Sequence, residues 1–132
     1  MVIVDTNVLI DVFEDDPTWA ERSIARMREL SEIHDLAINP IIYSELSLAF
    51  DTVEDLDGLP ADLRLVFVEI PRPALFLAGK AFVRYRQRGG SKTNVLSDFF
   101  IGATAAVMGC ALLTRVTQRV RSYFPTVKLL AP

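Results

Sequence analysis

Val2-Ile3-Val4-Asp5-Thr6-Asn7-Val8-Leu9-Ile10-Asp11 is the stretch that decides the fold of this chain. Val2-Ile3-Val4 reads as a short strand, and residues 7–13 continue as a helical turn or two before Asp16-Pro17. An acid that closes an N-terminal strand lies at the carboxyl edge of whatever sheet the strand joins. In open α/β sheets that edge is where ligands bind. The same alternation recurs downstream. Further strands are predicted at 36–38, 65–68, 111–113 and 127–130. Thr18, with Glu21 in the capping-box position, is expected to open a helix with an apolar stripe of Ala20, Ile24, Met27 and Leu30, running to about His34. Asn39-Pro40 starts the next, with Ile42, Leu46 and Ala49 or Phe50 inward, and Leu59-Pro60 breaks the pattern. Pro71 and Pro73 open a helix through Leu77, Ala81 and Tyr85 to Gly89-Gly90. After a loop at 91–96, Ser97 or Asp98 caps an apolar helix ended by Gly109, and 118–123 forms a last short one.

Strands separated by helices imply an α/β fold: one domain over residues 1–132, with a mainly parallel central sheet of about four or five strands and helices on both faces. Hydrophobic residues at 51% and charged residues at 23% describe a globular chain with a real core. Apolar runs reach only about ten residues, too short to cross a bilayer. No basic segment precedes a hydrophobic one at the start, and Met1 leads straight into a strand, so no cleaved signal is expected. Cys110 is the only cysteine, which excludes an internal disulfide and suits a reducing, cytoplasmic setting. A net charge of -3 argues against a general polyanion binder. The charge is uneven. Asp51, Glu54, Asp55, Asp57 and Asp62 cluster mid-chain, while Arg84, Arg86, Arg88 and Lys92 form one basic group and Arg115, Arg119, Arg121 and Lys128 another. Each basic group is either a solvated helix face or a phosphate-contacting surface.

Two further acids, Glu45 and Asp98, stand inside apolar helical patterns, where an unpaired charge is costly. The topology can bring both to the edge at which Asp5 ends its strand. Carboxylates about 4 Å apart repel by roughly 1 to 4 kcal/mol, and a hard divalent cation such as Mg2+ or Mn2+ converts that repulsion into binding. Such sites serve phosphodiester hydrolysis. Each acid also has a structural reading: Asp98 at a helix dipole, Glu45 on a solvated face, Asp5 in a turn. Asp11 reads as a local cap or surface partner. His34 reads as a helix-end residue, so neither a zinc cluster nor a serine triad has support.

The opening decapeptide resembles the first motif of PIN-domain ribonucleases, particularly the VapC-like toxins of toxin-antitoxin pairs. Ile41-Ile42-Tyr43-Ser44-Glu45-Leu46 resembles the second motif, and Asn94-Val95-Leu96-Ser97-Asp98-Phe99-Phe100-Ile101-Gly102-Ala103 the third. Leu112-Leu113-Thr114-Arg115 and Tyr123-Phe124-Pro125 resemble the closing segment. The resemblance implies a Mg2+- or Mn2+-dependent endoribonuclease with Asp5, Glu45 and Asp98 as catalytic, metal-holding acids and Thr6 and Asn7 shaping the site. It further implies water attacking in line to leave a 3'-hydroxyl and a 5'-phosphate, with tRNA or rRNA as substrate. The partners it implies are a small antitoxin and an identical subunit. Arg84, Arg86, Arg88, Lys92 and Arg115 are the candidates for the RNA path. Ile24, Met27, Leu46 and Phe50 form either a dimer face or ordinary core.

Related toxins commonly place a fourth acid after the threonine-arginine pair, where this chain has Val116. Thr114 or Thr117 can place a water there but not a charge. Three acids can still hold one cation whose shell is completed by waters. Val116 leaves open reduced activity, a different ligand, or a PIN-like protein that binds RNA or an antitoxin without cleaving. A phosphatase acting on small esters has no nucleophile motif or phosphate-cradling glycine loop in its favour.

Overall fold

A computed structural model describes residues 1–58 and 63–132. The Leu59-Pro60 break and Asp62 lie outside the described residues. Among the described residues five strands, β1 (Val2–Val4), β2 (Leu36–Ile38), β3 (Val66–Phe67), β4 (Ala111–Leu113) and β5 (Leu129–Leu130), form one sheet of order β3-β2-β1-β4-β5. All four pairings are parallel, with Ile3 opposite both Ala37 and Leu112. The central strand is wholly buried, which is why it reads as an unbroken apolar run. The outer strands are shorter than expected, at two residues each.

The helices are α1 (Thr6–Phe13), α2 (Ala20–Ser31), α3 (Pro40–Leu46), α4 (Val53–Asp57), α5 (Arg72–Gln87), α6 (Leu96–Met108) and α7 (Gln118–Tyr123). They flank the sheet as the alternation predicted. Several details differ. Thr18 does not cap α2, whose N-cap residue Trp19 makes no side-chain cap hydrogen bond; Asp16 Oδ1 accepts from Thr18 N at 2.8 Å and from Trp19 N at 2.9 Å in the turn ahead of the helix. α2 ends at Ser31 rather than near His34. Ala49 is exposed, because α3 gives way after Leu46 to a 3-10 turn at Ser47–Ala49. The short α4, capped by Thr52, was not anticipated from its acidic sequence. Neither Ser97 nor Asp98 caps α6; the helix begins at Leu96 behind Val95, and Asp98 lies in its first turn.

Small residues let α5 and α6 approach closely: Ala74, Ala78 and Ala81 are fully buried along one stripe of α5. Phe99 of α6 is the largest fully buried side chain and meets Tyr85, Tyr123 and Phe124 edge-on at centroid distances of 5.8, 5.0 and 6.2 Å. Burying such a ring contributes about 1.5 to 3 kcal/mol. Gly102 admits this cluster, since a Cβ there would stand 2.5 Å from Phe124 Cδ2. Gly109 closes α6 at φ 64°, a left-handed conformation suited to glycine. Met27 and Leu46 are fully buried and Ile24 and Phe50 partly so, which makes that group core packing rather than an external face.

Candidate functional site

From β1 the chain steps outward to β2 and β3, then returns to lay β4 on the opposite flank of β1. The strand order therefore reverses between β1 and β4, and a crevice forms beyond their carboxyl ends. Asp5 follows β1 and Thr114 follows β4. Asp5 N donates to Leu113 O at 2.9 Å, which extends the ladder by one residue into that crevice.

Both oxygens of Asp5 are held. Thr114 Oγ1 donates to Oδ2 at 2.8 Å, and Asn7 Nδ2 donates to the same oxygen at 3.1 Å. Thr6 N donates to Oδ1 at 2.7 Å, so the acid also caps α1. Thr6 Oγ1 donates to Glu45 Oε1 at 2.7 Å, bringing the last turn of α3 to the same edge. Buried Asn39 sets the register of α3 against α6: its Oδ1 accepts from Ile42 N, and its Nδ2 donates to Thr104 Oγ1 at 3.1 Å. That link positions the helix bearing Glu45 against the helix bearing Asp98.

Burial pushes the Asp5 carboxyl up from 3.8 to about 6; the Thr114 hydrogen bond opposes the rise, and the charges of Asp98 and Glu45 add to it. Glu45 is raised as well, chiefly by burial, with the Thr6 hydrogen bond opposing and Asp98 adding. The three acids thus share one electrostatic field. Asp5, Asn7, Asp98, Val116 and Arg119 are among the residues lining a cleft of about 70 Å³. Its anionic groups are the carboxylates of Asp5 and Asp98, oxygen ligands that suit a hard divalent cation, with Glu45 joined to them through Thr6 rather than lining the cleft itself. Among the described residues, no three His, Cys, Asp or Glu side chains stand close enough to form a ready cage. Asp98 instead meets Arg119, whose Nη1 lies 2.5 Å from Oδ2.

The basic candidates separate into two kinds. Arg84, Arg86, Arg88 and Lys92 are exposed. Arg88 lies over the Tyr123 ring at 5.0 Å, and Lys92 N donates to Tyr85 Oη. Both tyrosines line a shallow groove of about 280 Å³ that shares Val116 and Arg119 with the acidic cleft. Arg115 is different: Nε and Nη2 grip Asp11 at 2.6 and 3.0 Å, and its guanidinium sits 5.5 Å from the Trp19 ring centroid. Asp11 is accordingly a buried ion-pair partner, not a surface one. Arg119 was legible only as one of four basic residues near the C-terminus. Its spacing of four from Tyr123, which puts both on one face of α7, is the signal that separates it from Arg121.

A PIN-domain family model matches residues 2–116. No curated protein sequence matches the chain. Among solved structures, VapBC2 from Rickettsia felis bound to a DNA fragment is similar at TM-score 0.74 and 18% identity, covering 100% of this chain and 99% of that one. DNA-bound VapBC from Salmonella typhimurium is similar at TM-score 0.73 and 18% identity, covering 98% and 96%. A toxin-antitoxin complex from Klebsiella pneumoniae is similar at TM-score 0.61 and 22% identity, covering 96% and 95%. With five parallel strands in this order and a family match across most of its length, the chain belongs to the PIN-domain family.

Proposed function

We propose that this chain is a metal-dependent endoribonuclease of the VapC-like toxin type, acting in the cytoplasm on structured RNA such as tRNA or rRNA. The observation that carries the reading is the gathering of Asp5, Glu45 and Asp98, remote in sequence, around the end of β1, where burial and mutual repulsion raise Asp5 to about 6. Mg2+ or Mn2+ held by these acids would offset their repulsion, polarise a phosphoryl oxygen and orient an attacking water. The chain's own residues prepare for this. Above about pH 6 Asp5 is ionised, and Thr114, Asn7 and the Thr6 amide fix the direction of its oxygens. Thr6 Oγ1 does the same for Glu45.

The groove past Tyr85 and Tyr123 gives RNA a path, with Arg88 and Lys92 beside it and Arg84 and Arg86 farther along α5. Arg115 contributes less to that path, being committed to Asp11. An antitoxin partner is supported by likeness to complexes of that kind, and a second copy of the chain completes the proposed assembly. No helix among the described residues is long and apolar enough to cross a membrane.

Val116 and the Arg119–Asp98 pair favour a second reading, in which the domain binds RNA or an antitoxin without cutting. Incubating the purified protein with tRNA and rRNA, with Mg2+ or Mn2+ and then with EDTA, separates the two. Discrete metal-dependent cleavage that disappears in Asp5→Asn supports the nuclease. RNA binding without cleavage by the parent protein overturns it in favour of the binder.

A further inference from the structure

We propose that Arg119 competes with the divalent cation for Asp98, acting as a built-in counter-charge that sets how tightly the acidic cleft takes up metal. The inference rests on the metal-dependent reading above. Arg119 Nη1 lies 2.5 Å from Asp98 Oδ2, and both residues line the same cleft as Asp5. A guanidinium and a dication repel each other and draw on the same carboxylate charge, so a cation taken up through Asp98 Oδ2 binds against the arginine already there.

The contrast with Arg115 gives the pair its character. Arg115 holds Asp11 through two nitrogens, against a carboxylate side chain only 6% exposed. Arg119 is joined to Asp98 through one nitrogen, and the two side chains are 28% and 40% exposed. The first pair is a clamp and the second an exchangeable contact, weak enough for an ion to open. Val116 sharpens the competition: its side chain adds no carboxylate to strengthen the cation or to receive the displaced guanidinium.

Calorimetric titration of the metal-stripped full chain with Mn2+ tests this in the parent, Arg119→Gln, Arg119→Lys and Asp98→Asn. Arg119→Gln is expected to bind Mn2+ about fivefold more tightly, the upper end for a part-exposed ion pair. Arg119→Lys keeps the charge and is expected to stay near the parent. Equal or weaker Mn2+ binding by a folded Arg119→Gln, while the parent binds and Asp98→Asn loses affinity, overturns the competition and leaves the metal site standing. Loss of RNA affinity in Arg119→Gln with unchanged Mn2+ affinity makes Arg119 a phosphate contact and also overturns it. Failure of both parent and Arg119→Gln to bind Mn2+ removes the metal reading and this inference together.

Discussion

Asp5→Asn, followed against pH in metal-free protein, measures how much repulsion and burial the acidic cleft stores. The Asp5 carboxyl rises from 3.8 to about 6 on folding. At 1.36 kcal/mol per unit, that gap corresponds to a penalty of about 3 kcal/mol once the group is ionised. Because the folded value is the higher one, the native protein holds a proton that the unfolded chain has released between about pH 4 and pH 6. The Asp5 contribution to stability is therefore full below about pH 4, falls as pH rises through this window, and is level above it. Urea unfolding in EDTA at intervals from pH 4 to 7.5 gives the stability of each protein. Subtracting the Asp5→Asn curve from the parent curve cancels most other titrations. The parent is expected to lose about 2 to 3 kcal/mol against the variant between pH 4 and 7. Adding Mn2+ at pH 7 is expected to restore much of that loss in the parent but not in Asp5→Asn. A pH-independent difference, or one that grows in the parent's favour, would refute the account of a repulsive, buried carboxylate.

Three other substitutions address separate parts of the molecule. Val116→Asp adds a unit charge to the cleft and is expected to tighten Mn2+ binding about tenfold and to raise RNA cleavage; no change in either, in a folded variant, would count against the missing-acid account. Gly102→Ala drives a Cβ to 2.5 Å from Phe124 Cδ2 and is expected to cost about 1 to 3 kcal/mol in urea unfolding. Arg115→Gln leaves buried Asp11 without its cation. The expected cost is about 2 kcal/mol, below that of a fully buried pair because Arg115 is one-third exposed. RNA affinity, measured at fixed salt, should change little in that variant.

The division of labour around β1 explains why the candidate acids were legible and the residues that align their helices were not. A carboxylate inside an apolar run contradicts its local pattern, so Asp5, Glu45 and Asp98 stand out along the chain. Asn39 and Thr104 contradict nothing locally. Asn39 reads simply as a helix cap, which it is, yet its amide nitrogen also ties α3 to α6 through Thr104, 65 residues away. Asp11 and Arg115 are likewise ordinary charges until the fold sets them face to face, 104 residues apart in sequence.

By itself, the sequence determined the alternation of strands and helices and the burial of β1, and it singled out three acids as candidates for one site. Periodicity and charge in an apolar setting are local properties, written wherever they act. Only the tertiary structure decided that β4 lies beside β1, so that Thr114 reaches Asp5 and opens a crevice at the point where strand order reverses. It alone decided that Asp98 faces Arg119 while Asp11 takes Arg115. Coulomb attraction selects partners by distance in space, and distance in space is set by the sheet.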